Sequence, residues 1–459
     1  MSRRLVVIGG DAAGMSAASQ ARRLRSAAEL DIVVFERGRH VSYSACGMPY
    51  LVGGDVDSVD QLIVRTPAIF RDSYSIDAQL RHEVTEIDIG RSTVRVRSLK
   101  TGRERWESFD ELVIATGAIA ARSAIPGSEI DGVFGFRTLD DAIGLCNHLE
   151  DPPDRRVLLI GGGYIGLEVA EALVARGLDV SMVTAGAQPM PTLDPEMAVV
   201  VADALRAAGI ALHLGERVHE ITRSSRGTLT AVTPTCSFTA DVVVMGLGTR
   251  PNSALAAAST IPVGPTGGIV TDARMHTPVD GVWAAGDCVE SRHRVSGQPV
   301  AIALGTHANK QGRVVGTNLG GGNATFPGVI GTAITRFREL EIARTGLGEG
   351  EAAAAGFDAI SVTTDSTTRA GYFPGASPIR TKLVVERPTG RVLGAQIVGG
   401  EGAAKRIDTL AVAIWNRMTA EELAGVDLAY APPFAPVWDP VLIAARKAAE
   451  LTMGERARP

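Results

Sequence analysis

One pattern of strand, glycine turn and helix opens this chain and returns further along it, and this internal repeat restricts the fold more than any other feature. Leu5 to Ile8 reads as a buried parallel strand, Gly9-Gly10-Asp11-Ala12-Ala13-Gly14 as a tight turn, and Met15 to Leu24 as an alanine-rich helix. Asp31 to Phe35 is the next strand, closing on Glu36 and followed by Arg37. Glycines in such a turn let the backbone approach a pyrophosphate lying on the helix N-terminus, and the acid closing the second strand accepts hydrogen bonds from a ribose diol. Asp11 stands where the second glycine of G-x-G-x-x-G belongs. The repeat begins with a strand at Arg156–Ile160, then Gly161-Gly162-Gly163-Tyr164-Ile165-Gly166-Leu167-Glu168. Here Gly161, Gly163 and Gly166 complete the pattern. Its helix runs to about Arg176, with Gly177 as the stop, and its second strand is Val180–Val183, followed by Thr184. Two such units in one chain imply two dinucleotides held near each other, an electron-transfer architecture.

Between the units lies Ser42-Tyr43-Ser44-Ala45-Cys46-Gly47-Met48-Pro49-Tyr50. A cysteine at a helix start is expected to gain thiolate character from the helix N-terminus. No Cys-x-x-Cys or Cys-x4-Cys surrounds Cys46, so a neighbouring thiol is not its redox partner; its bland reading is a small buried apolar residue. The other cysteines, Cys146, Cys236 and Cys288, are widely spaced and form neither a disulfide framework nor a zinc site, which suits a reducing cytosol. No metal site is expected. A net charge of -5 without a basic run gives no reason to expect nucleic acid, and no apolar run reaches a membrane span. The apolar segment Leu5–Ile8 ends in glycines, as a first strand does and a signal peptide does not.

Elsewhere, Val59 to Phe70 reads as a connecting helix, Asp77 to Val96 as short alternating strands, and Glu111 to Ala118 as a buried strand ending in a small-residue turn at Thr116-Gly117. Asp151-Pro152-Pro153-Asp154 reads as a linker. Asp241–Leu247 is a further strand, and Trp283-Ala284-Ala285-Gly286-Asp287 ends in an acid that is either a helix cap or a ligand to a flavin ribityl chain. From about Phe326 the composition shifts to an α+β pattern, with strands at Ile379–Val385 and Val392–Val398 and helices at Lys405–Asn416 and Ala420–Ala424. Tyr430-Ala431-Pro432-Pro433 cannot lie inside a helix. Gly454–Pro459 is expected to lack structure.

With these motifs the chain resembles the pyridine nucleotide-disulfide oxidoreductases over nearly its whole length. It looks like their single-cysteine branch of coenzyme A disulfide reductases, persulfide reductases and NADH oxidases. The Ser-Tyr-Ser-Ala-Cys46-Gly-Met-Pro-Tyr stretch, Gly305-Thr306-His307-Ala308-Asn309-Lys310-Gln311-Gly312-Arg313 and Tyr430-Ala-Pro-Pro carry the resemblance. It implies an α/β chain with two Rossmann-like domains and a C-terminal α+β dimerisation domain, glutathione reductase-like. FAD would take 1–118 and 250–325, NAD(P)H would take 119–249, and 326–459 would pair two copies into a homodimer. It further implies FAD beside Gly9, Gly10, Ala13, Gly14, Glu36 and Arg37, with Thr116, Gly117, Gly286 and Asp287 completing the site. NADPH or NADH would lie on Gly161, Gly163, Ile165, Gly166, Glu168 and Thr184, with Tyr164 near the nicotinamide. Coenzyme A would be held by Arg23, Ser42, Asn309 and Lys310. Tyr372 and Tyr430, supplied by the partner subunit, would complete the catalytic site around Cys46.

Some positions depart from the family. Ala12 stands where the oxidases and peroxidases carry a histidine, which removes an acid–base partner for peroxide. The paired cysteines and C-terminal histidine motif of glutathione and lipoamide reductases are missing, and no rhodanese segment is expected after residue 459. Phe434 to Pro440, with Trp438, differs from the coenzyme A reductases. The expected activity is NAD(P)H-dependent reduction of a coenzyme A-type disulfide or persulfide, with Cys46 cycling as a mixed disulfide and its thiolate favoured below the free thiol pKa. The alternatives are an NADH oxidase cycling through a Cys46 sulfenic acid and a flavoprotein redox sensor of low turnover. Thr184-Ala185-Gly186-Ala187-Gln188 offers neither an acid to repel a ribose 2′-phosphate nor an arginine to bind one, which predicts weak discrimination between NADH and NADPH.

Overall fold

The computed structural model describes residues 2–120, 125–150, 156–225 and 227–456. Three five-stranded sheets organise it. The first is wholly parallel, in the order Val282–Ala284, Glu111–Ile114, Arg3–Ile8, Leu30–Glu36, Ile76–Leu80. Its central strands are near-continuous apolar runs because helices and loops cover both faces; Leu5, Val6, Val7, Leu112 and Ile114 are fully buried. The second is parallel too, in the order Ala211–Leu214, Asp179–Thr184, Arg156–Ile160, Val242–Met245, Val133–Gly135. The third is antiparallel: Ala333–Phe337, Leu340–Gly346, Val392–Gly399, Pro378–Glu386, Ala359–Thr367.

The first glycine turn leads into the helix Ala12–Leu24, whose buried residues include the small Ala13, Gly14, Ala17, Ala18 and Ala21. These small residues let the helix Gly305–Leu319 approach backbone to backbone. A Cβ on Gly312 would sit 2.2 Å from the Ala13 carbonyl oxygen, and one on Gly316 would sit 2.4 Å from that of Ala17. A side chain at either position would push the helices apart. The same contact brings Ser16 to Asn309, whose Oδ1 accepts from the hydroxyl at 2.7 Å.

Two local expectations need correction. Val59–Phe70 is not one helix: a 3-10 turn at Val59–Leu62 gives way to an antiparallel bridge between Tyr43 and Ile63. A new helix, Pro67–Tyr74, then starts with Thr66 accepting from the Ile69 N–H at 3.3 Å. Pairing with the cysteine stretch overrides the helical pattern. The C-terminal residues do not begin to lose structure at Gly454, because a helix spans Pro440–Arg456. Asp439 starts it by accepting from the Val441 N–H at 2.9 Å, and Val441, Ala444, Ala445, Ala448 and Ala449 pack its buried face into the third core. The expected linker at 151–154 lies outside the described residues apart from its flanks. Among the described residues no helix is long and apolar enough to cross a membrane, and no cluster of side chains is suited to a metal ion.

Candidate active site

The first unit opens onto a cavity of about 840 Å³. Gly9, Gly10, Ala13, Glu36, Arg37, Thr116, Gly117, Gly286 and Asp287, all expected from sequence, line it. Gly14 lies just behind, where a Cβ would fall 1.9 Å from the Gly9 carbonyl oxygen; Gly9 itself has φ +105° and backs onto the Ala115 carbonyl at 2.1 Å from a would-be Cβ. Only glycine permits this close turn. Glu36 is held by two backbone donors, Gly10 N–H at 2.7 Å and Gly38 N–H at 2.6 Å. Thr116 donates to the Asn252 carbonyl at 2.6 Å, and Asn252 returns a bond to the Thr116 carbonyl at 3.2 Å.

Arg137 and Asn252 were not legible as site residues, since neither belongs to a motif. Arg137 reaches the cavity from the second sheet's side and pairs with Asp287 at 3.1 Å. The adjoining sequence did carry one signal, the helix start at Thr138, which is capped reciprocally with Asp141. Asp11 also faces this cavity. Its Oδ1 is buried without a partner, and burial, reinforced by Glu36 and opposed by Arg137, pushes its carboxyl up to about 6.

Cys46 sits in a 3-10 turn, Ala45–Gly47, that runs into the short helix Met48–Gly53. Its residue surface remains exposed. The expectation that the helix N-terminus lowers the thiol pKa is not met. Burial pushes the thiol up, Glu168, Asp11 and Asp287 add to that, and Arg137 alone opposes them. A helix of this length lends little dipole, and the surrounding charges are mostly acidic. The turn lies between the units: Tyr43 before it lines the first cavity, and Met48 and Leu51 after it pack into the core of the second unit. No disulfide joins Cys46 to another cysteine among the described residues.

In the second unit Gly161 has φ +113° and backs onto the Gly246 carbonyl oxygen, 2.4 Å from a would-be Cβ. Gly166 packs on Gly161 in the same way at 2.1 Å, whereas a Cβ on Gly163 would meet nothing within 4 Å. The helix Tyr164–Ala175 starts there, with Ile165 partly buried in its first turn. The Tyr164 hydroxyl is buried beside Thr192. Glu168 accepts from the Thr335 hydroxyl at 3.0 Å, and burial raises its carboxyl pKa. Thr184 ends the strand Asp179–Thr184, and its hydroxyl accepts from the Gly186 N–H at 3.4 Å.

The four residues expected to bind coenzyme A lie along the paired helices and the cysteine stretch, but no hydrogen bond joins any two of them among the described residues. Arg23 is exposed and donates to Gln20 at 3.4 Å. Ser42 has φ +49° and its backbone N–H donates to the Gly10 carbonyl at 2.9 Å. Asn309 is held by Ser16, and Lys310 lines a separate cavity of about 760 Å³. Tyr372 and Tyr430 are neighbours, 79% and 47% exposed. Their segments are tied by the Ala370 N–H to the Pro432 carbonyl at 3.2 Å and by Arg406, which bonds the carbonyls of Thr368 and Phe434 and pairs with Asp439.

Comparison with known proteins agrees with this geometry. A curated relative, the NAD(P)H coenzyme A polysulfide/persulfide reductase of Pyrococcus horikoshii, is 40% identical over 450 residues, 97% of this chain and 98% of its own. An NADH oxidase of Methanocaldococcus jannaschii is 35% identical over 447 residues, again 97% and 98% of the two chains. The solved structure of a NAD-dependent persulfide reductase from A. fulgidus superposes with a TM-score of 0.94 at 41% identity, covering 98% of this chain and 84% of that one. The profile described as pyridine nucleotide-disulphide oxidoreductase matches residues 3–312, and that family's dimerisation domain matches 332–440. A parallel-sheet unit with a tight glycine turn, repeated and joined to an antiparallel third domain, is this family's fold, and the chain belongs to the pyridine nucleotide-disulphide oxidoreductases.

Proposed function

We propose that this enzyme reduces coenzyme A-type disulfides or persulfides with NAD(P)H, using Cys46 as its one redox cysteine. The observation that carries this reading is the place of Cys46 in the fold, between Tyr43, which lines the first cavity, and the helix Met48–Gly53, whose Met48, Leu51 and Val52 pack into the core of the second unit.

The family is FAD-dependent and uses NAD(P)H. The first cavity fits FAD on its own evidence: the turn leaves no room for a Cβ at Gly9, Gly10 or Gly14, and Asp11 turns an unpartnered buried oxygen within it. On this reading Gly9, Gly10, Ala13 and Gly14 hold the pyrophosphate at the helix N-terminus, Glu36 and Arg37 hold the adenosine end, and Thr116, Gly117, Gly286 and Asp287 hold the flavin end. When bound, FAD supplies the two-electron relay between NAD(P)H and the Cys46 sulfur. Gly161, Gly163, Ile165 and Gly166 seat the NAD(P)H pyrophosphate, Tyr164 and Glu168 face its nicotinamide, and Thr184 meets its ribose. The corresponding domains are 1–118 with 250–325, 119–249, and 326–459.

The Cys46 thiolate attacks one sulfur of the substrate. The S–S bond breaks, one half leaves as a thiol after taking a proton, and the other half stays on Cys46 as a mixed disulfide. Two electrons from NAD(P)H and a second proton then release that half and restore the thiolate. One protein cysteine suffices because the substrate brings the second sulfur. Arg137 is the cation that favours the ionised form. Arg23, Ser42, Asn309 and Lys310 are the candidates for the coenzyme A end.

The working unit in this reading is a homodimer. Tyr372, Phe434, Val437 and Trp438 are 79%, 76%, 67% and 54% exposed within the dimerisation region, an apolar surface that a second copy would cover. Tyr372 and Tyr430 then complete the site of the partner subunit.

The test is NAD(P)H consumption with and without coenzyme A disulfide. Cys46→Ser is expected to abolish the disulfide-dependent rate while FAD stays bound and is still bleached by NADH. Disulfide turnover within tenfold of wild type would sink the assignment. The relative named NADH oxidase favours a second reading, oxygen reduction through a Cys46 sulfenic acid, and equal rates with and without disulfide would select it.

A further inference from the structure

The second glycine turn is held from outside its own domain. After the strand Asp179–Thr184 the chain doubles back over the turn, where the Met190 N–H donates to the Gly162 carbonyl at 2.6 Å. Met190 is fully buried and has φ +50°, a conformation that a side chain adopts only where its surroundings impose it. Just beyond Met190 the third domain takes hold of the segment. Arg344 donates to the Thr192 carbonyl at 2.7 Å. Gln396 grips Asp194 twice, accepting from its N–H at 2.8 Å and donating to its carboxylate at 2.9 Å. Lys382, with no exposed side-chain surface, pairs with Asp194 at 2.8 Å, with Glu349 at 3.2 Å and with Glu196.

Cohesion alone does not call for this chemistry. A buried ion cluster is commonly no more stable than apolar packing of the same shape. Directed bonds to one carboxylate and its own N–H do something packing cannot: they fix the segment in a single position. That segment bonds Gly162 and passes Tyr164, whose buried hydroxyl lies beside Thr192 and Arg344.

We propose that Lys382 is a positioning residue for NAD(P)H. Through Asp194 it holds the 188–194 segment against the second glycine turn, so that the dimerisation domain sets the shape of the nicotinamide nucleotide pocket. The proposal rests on the reading that the second unit takes NAD(P)H.

The test uses the FAD-loaded enzyme and two variants, Lys382→Met, which keeps the aliphatic stem, and Gln396→Leu, which leaves the lysine in place. NADH and disulfide are varied separately, and NAD⁺ binding is measured by calorimetry. Both variants are expected to raise the KM for NADH and the NAD⁺ dissociation constant about tenfold, with kcat at saturating NADH and the KM for disulfide within twofold of wild type. If Lys382→Met does not fold, Gln396→Leu decides alone. An unchanged KM for NADH in Gln396→Leu, or a parallel loss in both substrates with falling Tm, would overturn the proposal. Wild-type enzyme that turns over but shows no NAD⁺ binding abolished by Gly163→Val would instead overturn the reading beneath it, and the proposal with it.

Discussion

Asp11 puts a carboxyl where the first turn's pattern has a glycine, and its surroundings dictate what that group does. Glu36 and Arg137 are the charged groups acting on it, and the nearby Tyr43 and Ala12 backbone N–H groups pull its pKa down slightly. Burial outweighs the help from Arg137, so the folded protein holds the proton up to about pH 6 while the unfolded chain releases it near 3.8. Between those values the folded state binds more protons, so stability falls as pH rises through the window, by about 3 kcal/mol once both states are ionised. Asp11→Asn keeps the shape and removes the charge. In FAD-free protein it is expected to raise Tm at pH 8, with the advantage shrinking as pH drops through 6 and gone near 4. Calorimetry at a series of pH values checks this, and a gap that does not change with pH would mean that shape and not charge is responsible.

At the scale of the element, the glycines of the second turn do different work. Gly166 closes the turn on itself, since a methyl there would lie 2.1 Å from the Gly161 carbonyl oxygen. Gly166→Ala is therefore expected to destabilise the fold by about 1–3 kcal/mol. Gly163 faces open space, at the position where a dinucleotide backbone has to come close. Gly163→Ala should leave Tm and FAD content as in wild type and weaken NAD⁺ binding by about tenfold or more; a loss of Tm with intact binding would reverse the assignment. This contrast also shows what a sequence can disclose. Both turns were legible because apolar runs such as Leu5–Ile8 must be buried and glycine spacing follows from close approach. Arg137 and Asn252 were not, because they enter the cavity from distant segments that topology alone brings in. The helix Pro440–Arg456 was hidden behind a proline-rich stretch, although Pro440 suits a first helical turn and its alanines recur at helical spacing. The Cys46 thiol departs from the expectation because a six-residue helix carries little dipole, while Glu168 reaches the thiol only through the fold.

At the scale of the molecule, the proposed site is shared between two subunits, with Cys46 from one and Tyr372 and Tyr430 from the other. Tyr372 and Tyr430 project outward from the third domain, 79% and 47% exposed, on segments pinned by Arg406 and its pair Asp439. Loop mobility is thus not a ready way for them to reach the cysteine of their own chain. A two-fold axis carries each such surface to the partner's site, so each site would be built from Cys46 of one subunit and Tyr430 of the other. Complementation tests this directly. Cys46→Ser and Tyr430→Phe homodimers are each expected to lose disulfide turnover. After the subunits are dissociated, mixed and reassociated, heterodimers should carry one site with both lesions and one with neither. Random pairing makes about half of the dimers mixed, with one intact site in two, so recovery to roughly a quarter of wild-type activity is expected. If mixing is proven by tagged subunits, both parents are inactive and nothing is recovered, then Tyr430 serves the cysteine of its own chain and the composite site is refuted.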